Sequence, residues 1–243
     1  YQNNFGVKYL TINGFNFFDF LDFLVLRDYR NSTFYTFLIK YVNNKFKDVD
    51  ILSFKNFNNL LINKAFRSYK YQESLHIKLE NSYQDFMNNL KPKFRRDSER
   101  QLRRIKLLGN FSYNVVENKK QYQKFIDHLI KFKRKRFKKT KALDIFNDIQ
   151  NINFFKNLFV EINDSKIFAS YLTIDNKIIS CALSFLLNKK IYFYSTSFDQ
   201  DKYDSYSINR LHMLNDIKFS FESNFFIYDF LCGNEAYKKK TEQ

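Results

Sequence analysis

The C-terminal end of this 243-residue chain gathers residue types that move protons: Asp229, Glu235, Tyr237 and Lys238 stand around Gly233, where an apolar run stops. A carboxylate can take a proton from a nucleophile and a phenol can give one to a leaving group, the minimum for general acid–base chemistry. Plainer roles compete with these. Asp229 can cap a turn or pair with a lysine, Glu235 and Lys238 can be solvated charges, and Tyr237 can pack behind Gly233, which suits a positive φ after a strand. A second group lies upstream, where Tyr194, Ser195 and Thr196 end a strand-like run and Ser207, Ile208, Asn209 and Arg210 open a helix-like one. The free N–H groups and positive dipole end of such a helix suit a phosphate. His76, His128 and His212 show no triad or metal spacing with one another or with Cys181 and Cys232, so each is expected to be structural. No Walker-type, zinc or nucleophile-elbow motif occurs.

Those residues need elements to hold them, and hydrophobic periodicity outlines the elements. Residues 1–80 read as an α+β half, with strands at 7–12, 50–54 and 74–79 and an amphipathic helix at 34–42. A basic helical stretch from Ser82 to about Leu108 starts with an N-cap signal at Ser82 and Asp85 and must break or restart at Pro92. Arg96, Arg100, Arg103 and Arg104 recur on one of its faces. A helix at 118–137 carries Tyr122, Phe125, Ile126 and Leu129 on one stripe and ends in the cationic run 131–139; another is expected at 144–159. The period then falls from 3.6 to 2. Strands at 166–174, 177–187 and 190–197 are separated by Asp175-Asn176 and Asn188-Lys189, short breaks suited to antiparallel hairpins. A helix at 207–222, N-capped by Ser205 or Ser207, and a strand at 225–231 follow. The last meander strand, a loop, a helix and an adjacent strand form a β-loop-α-β unit.

The composition is 44% hydrophobic with 31 Phe and 17 Tyr, which excludes a disordered chain. A formal charge of +16 favours polyanionic partners: nucleic acid, an anionic membrane surface, or a phosphate-rich small ligand. The Lys and Phe excess, with 4 Gly and 1 Pro, is also the bias of an AT-rich coding sequence. Cys181 and Cys232 sit in apolar runs and are expected to be reduced thiols of a cytoplasmic protein. No apolar run approaches the roughly 20 residues that span a bilayer, and no secretory leader pattern is present. The first residue is Tyr1, and the chain is expected to be a soluble piece of a longer protein.

The string from Tyr228 to Lys238, Y-D-F-L-C-G-N-E-A-Y-K, resembles the D-x-x-x-G-x-E-x-Y-K signature of the CelD-type, BioF-like acetyltransferases, a GNAT branch related to the Fem peptidyltransferases. Lys93-Phe94-Arg95-Arg96 resembles the family's K-x-R-R entry. The segment 192–199 resembles its strand ending in a serine-rich turn, and Ser207-Ile208-Asn209-Arg210-Leu211 stands in place of its S-P-G-x-L helix start. The resemblance covers about residues 85–243 and, more loosely, the first 80. It implies an α+β fold of tandem GNAT-like lobes with a mixed, mostly antiparallel sheet flanked by helices, a degenerate lobe at 1–84 and the acyltransferase domain at 85–243. It implies acetyl-CoA, or another acyl-CoA, as co-substrate, with no metal. The donor would lie in the splay between the last meander strand and the final strand, with Ser207, Ile208, Asn209 and Arg210 at the pyrophosphate and Tyr194, Ser195 and Thr196 along the strand. Asp229 or Glu235 would be the base, Tyr237 the proton donor to the thiolate, and Lys238 the lysine that steadies the transition state in Fem-like transferases. Ile208 and Asn209 replace the family's Pro and Gly, which changes the backbone approach that glycine permits.

The implied acceptor is a small-molecule amine on a sugar nucleotide or a cell-envelope or polysaccharide precursor. The principal rival is a nucleic-acid-binding module, in which the α-helical arginines and the 131–139 run form one face. Aminoacyl-tRNA as donor, as in Fem relatives, lies between the two; a catalytically silent lobe and peripheral contact with an anionic membrane are further alternatives.

Overall fold

The computed structural model describes residues 2–4, 6–11, 19, 21, 23–54, 74–161 and 166–233. The chain divides into two compact units, Tyr1–Gln72 and Glu73–Gln243. In the first, β1 (Gln2–Asn4) pairs antiparallel with β2 (Val7–Thr11), which pairs parallel with β3 (Ile51–Ser53). Helix α1 (Ser32–Lys45) starts where Asn31 accepts a hydrogen bond from the Phe34 N–H at 3.0 Å.

The second unit is α+β. Its elements are β4 (Ser74–Lys78), α2 (Tyr83–Asn89), α3 (Pro92–Lys106), β5 (Phe111–Val115), α4 (Lys119–Thr140), α5 (Ile149–Glu161), β6 (Ile167–Ile174), β7 (Lys177–Leu187), β8 (Lys190–Phe198), α6 (Gln200–Tyr203), α7 (Ile208–Glu222) and β9 (Ile227–Cys232). The sheet order is β4-β9-β8-β7-β6-β5, and every neighbouring pair is antiparallel except β8 with β9. The strand expected at 74–79 forms as β4, with Leu75 and Ile77 inward, yet it pairs with the end of the chain and belongs to the second unit.

Local chemistry explains most boundaries. Ser82 accepts from the Asp85 N–H and starts α2, while Pro92 takes the first position of α3, where its missing N–H costs nothing. Asn118 caps α4 through the Gln121 N–H. The helix expected from 144 starts later, because Asp144 turns its carboxylate to the Phe146 N–H of a separate 3-10 turn and Asp148 caps α5 through Gln150. Both hairpin loops of β6–β7 and β7–β8 have two residues with positive φ, Asp175 and Asn176 (47°, 63°) and Asn188 and Lys189 (50°, 58°), the twist that matches tight hairpins. Strand β5 had no sequence expectation: all five of its residues are half-buried, so no alternation marks it.

Alternation along β7 separates two cores. Ser180 faces α7, where its hydroxyl meets His212, and the next residue, Cys181, faces α4, where its thiol meets the Phe125 carbonyl. Phe86, Phe94 and Ile217 pack α2, α3 and α7 on the first face. On the second, Tyr122 of α4 stacks on Phe159 at 4.8 Å and donates its hydroxyl to the Phe155 carbonyl of α5 at 2.8 Å.

Candidate active site

The site begins with a fault in β8. Leu183 of β7 is opposite Ser195 and Ser184 is opposite Phe193, so Tyr194 is an extra residue in the register of β8. A bulge of this kind bends a strand and increases its twist. Beyond the bulge β8 leaves its other neighbour: the parallel ladder with β9 holds only Lys190 with Ile227, Ile191 with Tyr228 and Tyr192 with Asp229. The two strands open from that point as a wedge.

Asp229 stands at the closed end of the wedge. Its Oδ1 accepts the Leu231 N–H at 2.7 Å and the Ser74 hydroxyl at 3.0 Å. Leu231 has φ 57°, a left-handed conformation that costs a residue other than glycine on the order of 1–2 kcal/mol. The Asp229 bond holds that turn, and Gly233 follows at φ 130°. Opposite Asp229, Tyr192 has a phenol raised above its ordinary pKa by burial and then by the Asp229 charge. Tyr228 and Phe230 point into the α7 core, so Asp229 and Tyr192 project to the other face of the sheet.

Helix α7 closes the open end. Ser207 occupies the N-cap position at φ 53°, ψ 41°, but its side chain caps nothing. Its hydroxyl instead accepts from Arg210 Nη2 at 2.8 Å. Ser207 is thus the expected N-cap residue by position, but its side chain does not cap; the Arg210 N–H bonds to the Ser207 carbonyl at 3.0 Å, and the N–H groups of Ile208 and Asn209 are left without a side-chain cap. Thr196 in the open half of β8 donates to the Cys181 carbonyl at 3.2 Å, and its hydroxyl lies 3.4 Å from Asn209 Oδ1, which sets the first turn of α7 beside the wedge.

Cationic side chains from both faces reach this point. From α3, Arg104 donates to the Ser205 carbonyl at 3.3 Å and lies 4.9 Å from the Tyr206 ring centroid. Arg210 lies over Phe94 at 5.2 Å; burial lowers its pKa, Asp97 opposes that shift and Arg100 adds to it. From α4, Lys135 pairs with Asp201 at 2.6 Å and Asp199 at 3.3 Å, and Lys139 with Asp204 at 3.4 Å. The segment 199–206 is thus tied to both basic helices next to the start of α7.

Of the residues expected from sequence, Thr196, Ser207, Asn209 and Arg210 come together at the mouth of the wedge. Ser195 lies in the open half of β8, and Ile208 is buried in the core. Tyr194 turns to the α5 side, stacked on Phe155 at 6.2 Å. Glu235, Tyr237 and Lys238 lie outside the described residues.

Sequence reasoning did not single out the polar group under the body of α7. His212 is fully buried; its Nδ1 meets the Ser180 hydroxyl at 2.7 Å and its Nε2 the Ser170 hydroxyl at 2.9 Å. Ser170 in turn donates to Asp216 Oδ1 at 2.6 Å, as does the Tyr113 hydroxyl at 2.9 Å. A neutral imidazole with its proton on Nε2 satisfies every one of these bonds. Burial depresses His212 to a pKa of about 3 and raises Asp216 to about 7, against the pull of its Ser170 and Tyr113 donors. Burial and then Asp216 raise the Tyr113 phenol. The available signal was the pair His212 and Asp216 one turn apart on an otherwise apolar helix stripe.

A sequence model described as an acetyltransferase (GNAT) domain matches residues 92–239, more than half of the chain. No curated protein matches the sequence significantly. Among solved structures, FemX superposes with a TM-score of 0.58 at 12% identity, over 94% of this chain and 72% of that one. The C-terminal domain of a putative lysylphosphatidylglycerol synthetase from Agrobacterium fabrum gives 0.58 at 15%, over 86% and 69%. A conserved protein of unknown function from Bacteroides thetaiotaomicron gives 0.54 at 13%, over 86% and 70%. At these identities the likeness is one of fold.

Proposed function

Given that the chain belongs to the acetyltransferase (GNAT) domain family, we propose that it moves an acyl group, acetyl in the simplest case, from acyl-CoA to an amine. The observation that carries this reading is the three-pair β8–β9 ladder opening toward an uncapped helix start flanked by arginines. A gap between two diverging strands is the kind of place in which an extended amide chain such as pantetheine can lie alongside backbone. The leading N–H groups of α7, with Arg210 and Arg104, suit the pyrophosphate.

The reaction needs an amine free of its proton, donors for the tetrahedral oxyanion and a proton for the leaving thiolate. Backbone N–H groups of β8 beyond the bulge would supply the oxyanion donor. Among the described residues both hydrogen bonds to Asp229 fall on Oδ1, so Oδ2 is the oxygen we assign to the amine proton. Glu235 is the other carboxylate we consider for that role, Tyr237 the donor to the thiolate, and Lys238 a charge that stabilises the transition state. The acceptor we propose is a sugar nucleotide or a cell-envelope or polysaccharide precursor, handled in the cytoplasm.

One observation favours a second reading, aminoacyl-tRNA as donor. Arg104 of α3 and Lys135 and Lys139 of α4 all reach 199–206, more cationic residues than one pyrophosphate needs, with the two lysines paired there to Asp199, Asp201 and Asp204. A thermal-shift titration separates the readings. At 100 times its dissociation constant acetyl-CoA should add about 2.7 kcal/mol of stability. No shift with acetyl-CoA and a shift with aminoacyl-tRNA would replace the first reading by the second.

A further inference from the structure

The end of α4 carries more cationic charge than the wedge uses. Eight of the eleven residues at 131–141 are Lys or Arg, and none is acidic. Arg134 is held by Asp144 at 3.0 Å and Asn147 at 3.2 Å, while Lys135 and Lys139 are tied to the 199–206 segment. Lys131, Lys138 and Lys141 are exposed and form no ion pair among the described residues. With Phe137 and Leu143 they line an open groove of about 860 Å³ between α4 and the turn into α5.

That turn presents apolar side chains to water on a well-held backbone. Leu143 is 81% exposed, and Ile149, at the first position of α5, 62%. Lys141 ends α4 in a left-handed conformation, the Ala142 N–H donates to the Phe137 carbonyl, and Asp144 anchors both Phe146 and Arg134.

We propose that this groove and turn dock on an anionic phospholipid surface, with the three lysines at the phosphates and Leu143 and Ile149 entering the interface. The lysines alone would suit any polyanion. A surface that holds single-stranded nucleic acid offers aromatic faces to the bases, whereas the aromatic of this groove, Phe137, is half-buried and the exposed tips are aliphatic. A polybasic patch and a shallow apolar insertion are each marginal anchors that together give reversible attachment. Among the described residues no helix is long and apolar enough to cross a membrane, so the contact is peripheral. The proposal does not depend on which acyl donor the wedge takes.

Vesicle sedimentation tests it. The protein should pellet with vesicles of phosphatidylcholine mixed with phosphatidylglycerol and stay in solution with phosphatidylcholine alone. At roughly fivefold per lysine, K131A/K138A/K141A should weaken the binding on the order of a hundredfold. Leu143→Asp should weaken it severalfold with the lysines intact, and both variants should melt like the parent. Equal pelleting with both vesicle types, or binding unchanged in the triple variant, overturns the proposal. So does tRNA binding that needs the same lysines, ignores Leu143→Asp and outcompetes the vesicles.

Discussion

Two parts of one sheet receive the same helix in opposite ways. Where the body of α7 crosses β6 and β7, the strands are paired along their length, and Ser170, Ser180, His212 and Asp216 are buried and knitted together, with the half-buried Tyr113 bonded at their edge. Within that region Asp216 Oδ2 and Ser184 Oγ have no hydrogen-bond partner among the described residues. Where the first turn of α7 meets the open half of β8, the ladder with β9 has stopped after three pairs, the helix start has no side-chain cap, and Arg210 bonds to a serine that capping would have used. Buried polar groups are mostly held by their partners, so the first region is suited to holding the fold. The second keeps backbone and charge available for a ligand. Whatever the donor, a bulge at Tyr194 and a left-handed residue at Leu231 separate the one condition from the other.

The comparison can be broken most forcefully in the closed region. Leu172 of β6 is fully buried, so Leu172→Ala should cost about 2–5 kcal/mol in denaturant unfolding. A loss well under 1 kcal/mol would mean that this part of the sheet is not the rigid half.

The next effect is a pH dependence. Asp216 is raised from 3.8 to about 7, so its contribution is full below pH 3.8 and is lost as the pH rises through about 7. His212 is depressed from 6.5 to about 3, so its contribution is full above pH 6.5 and is lost as the pH falls through about 3. Between those limits the two slopes oppose each other in the intact protein. Asp216→Asn should leave a protein that loses stability on acidification below pH 6.5, and His212→Gln one that loses it as the pH rises from 4 to 7. Each change should be on the order of a few kcal/mol. Unfolding profiles of the two variants with the same slope would show that the pair is not buried as described.

The smallest effect tests the open region. Arg210→Ala should weaken acetyl-CoA binding by about 1.5 kcal/mol, roughly tenfold, while the melting temperature without ligand changes little. Unaltered affinity in calorimetry would take Arg210 out of the phosphate site.

Much of the fold was legible in the residues because its signals are local. Asp175-Asn176 and Asn188-Lys189 set two hairpins, Pro92 restarted a helix, and the change from period 3.6 to period 2 marked the meander. Strand β5 escaped because half-buried residues such as Ser112 and Asn114 carry no alternating pattern. The late start of α5 escaped because Asp144 and Asp148 both read as caps, and Arg134, distant in sequence, secures the first. At the site, the start of α7 and its neighbouring strands could be named in advance. The polar group under α7 could not, since His212 and Asp216 acquire their meaning only from Tyr113, Ser170 and Ser180 on three strands.

Composition, periodicity and turn residues alone determined that the chain forms a meander followed by a helix and one more strand, and that its charge seeks anions. Only the tertiary structure decided that β9 lies parallel to β8 for three pairs and then departs, and that β4, from far upstream, takes the other edge of β9. Hairpin geometry is set within a few neighbouring residues. Register between distant strands is set by which cores must be filled on both faces at once, and no short stretch of chain contains that information.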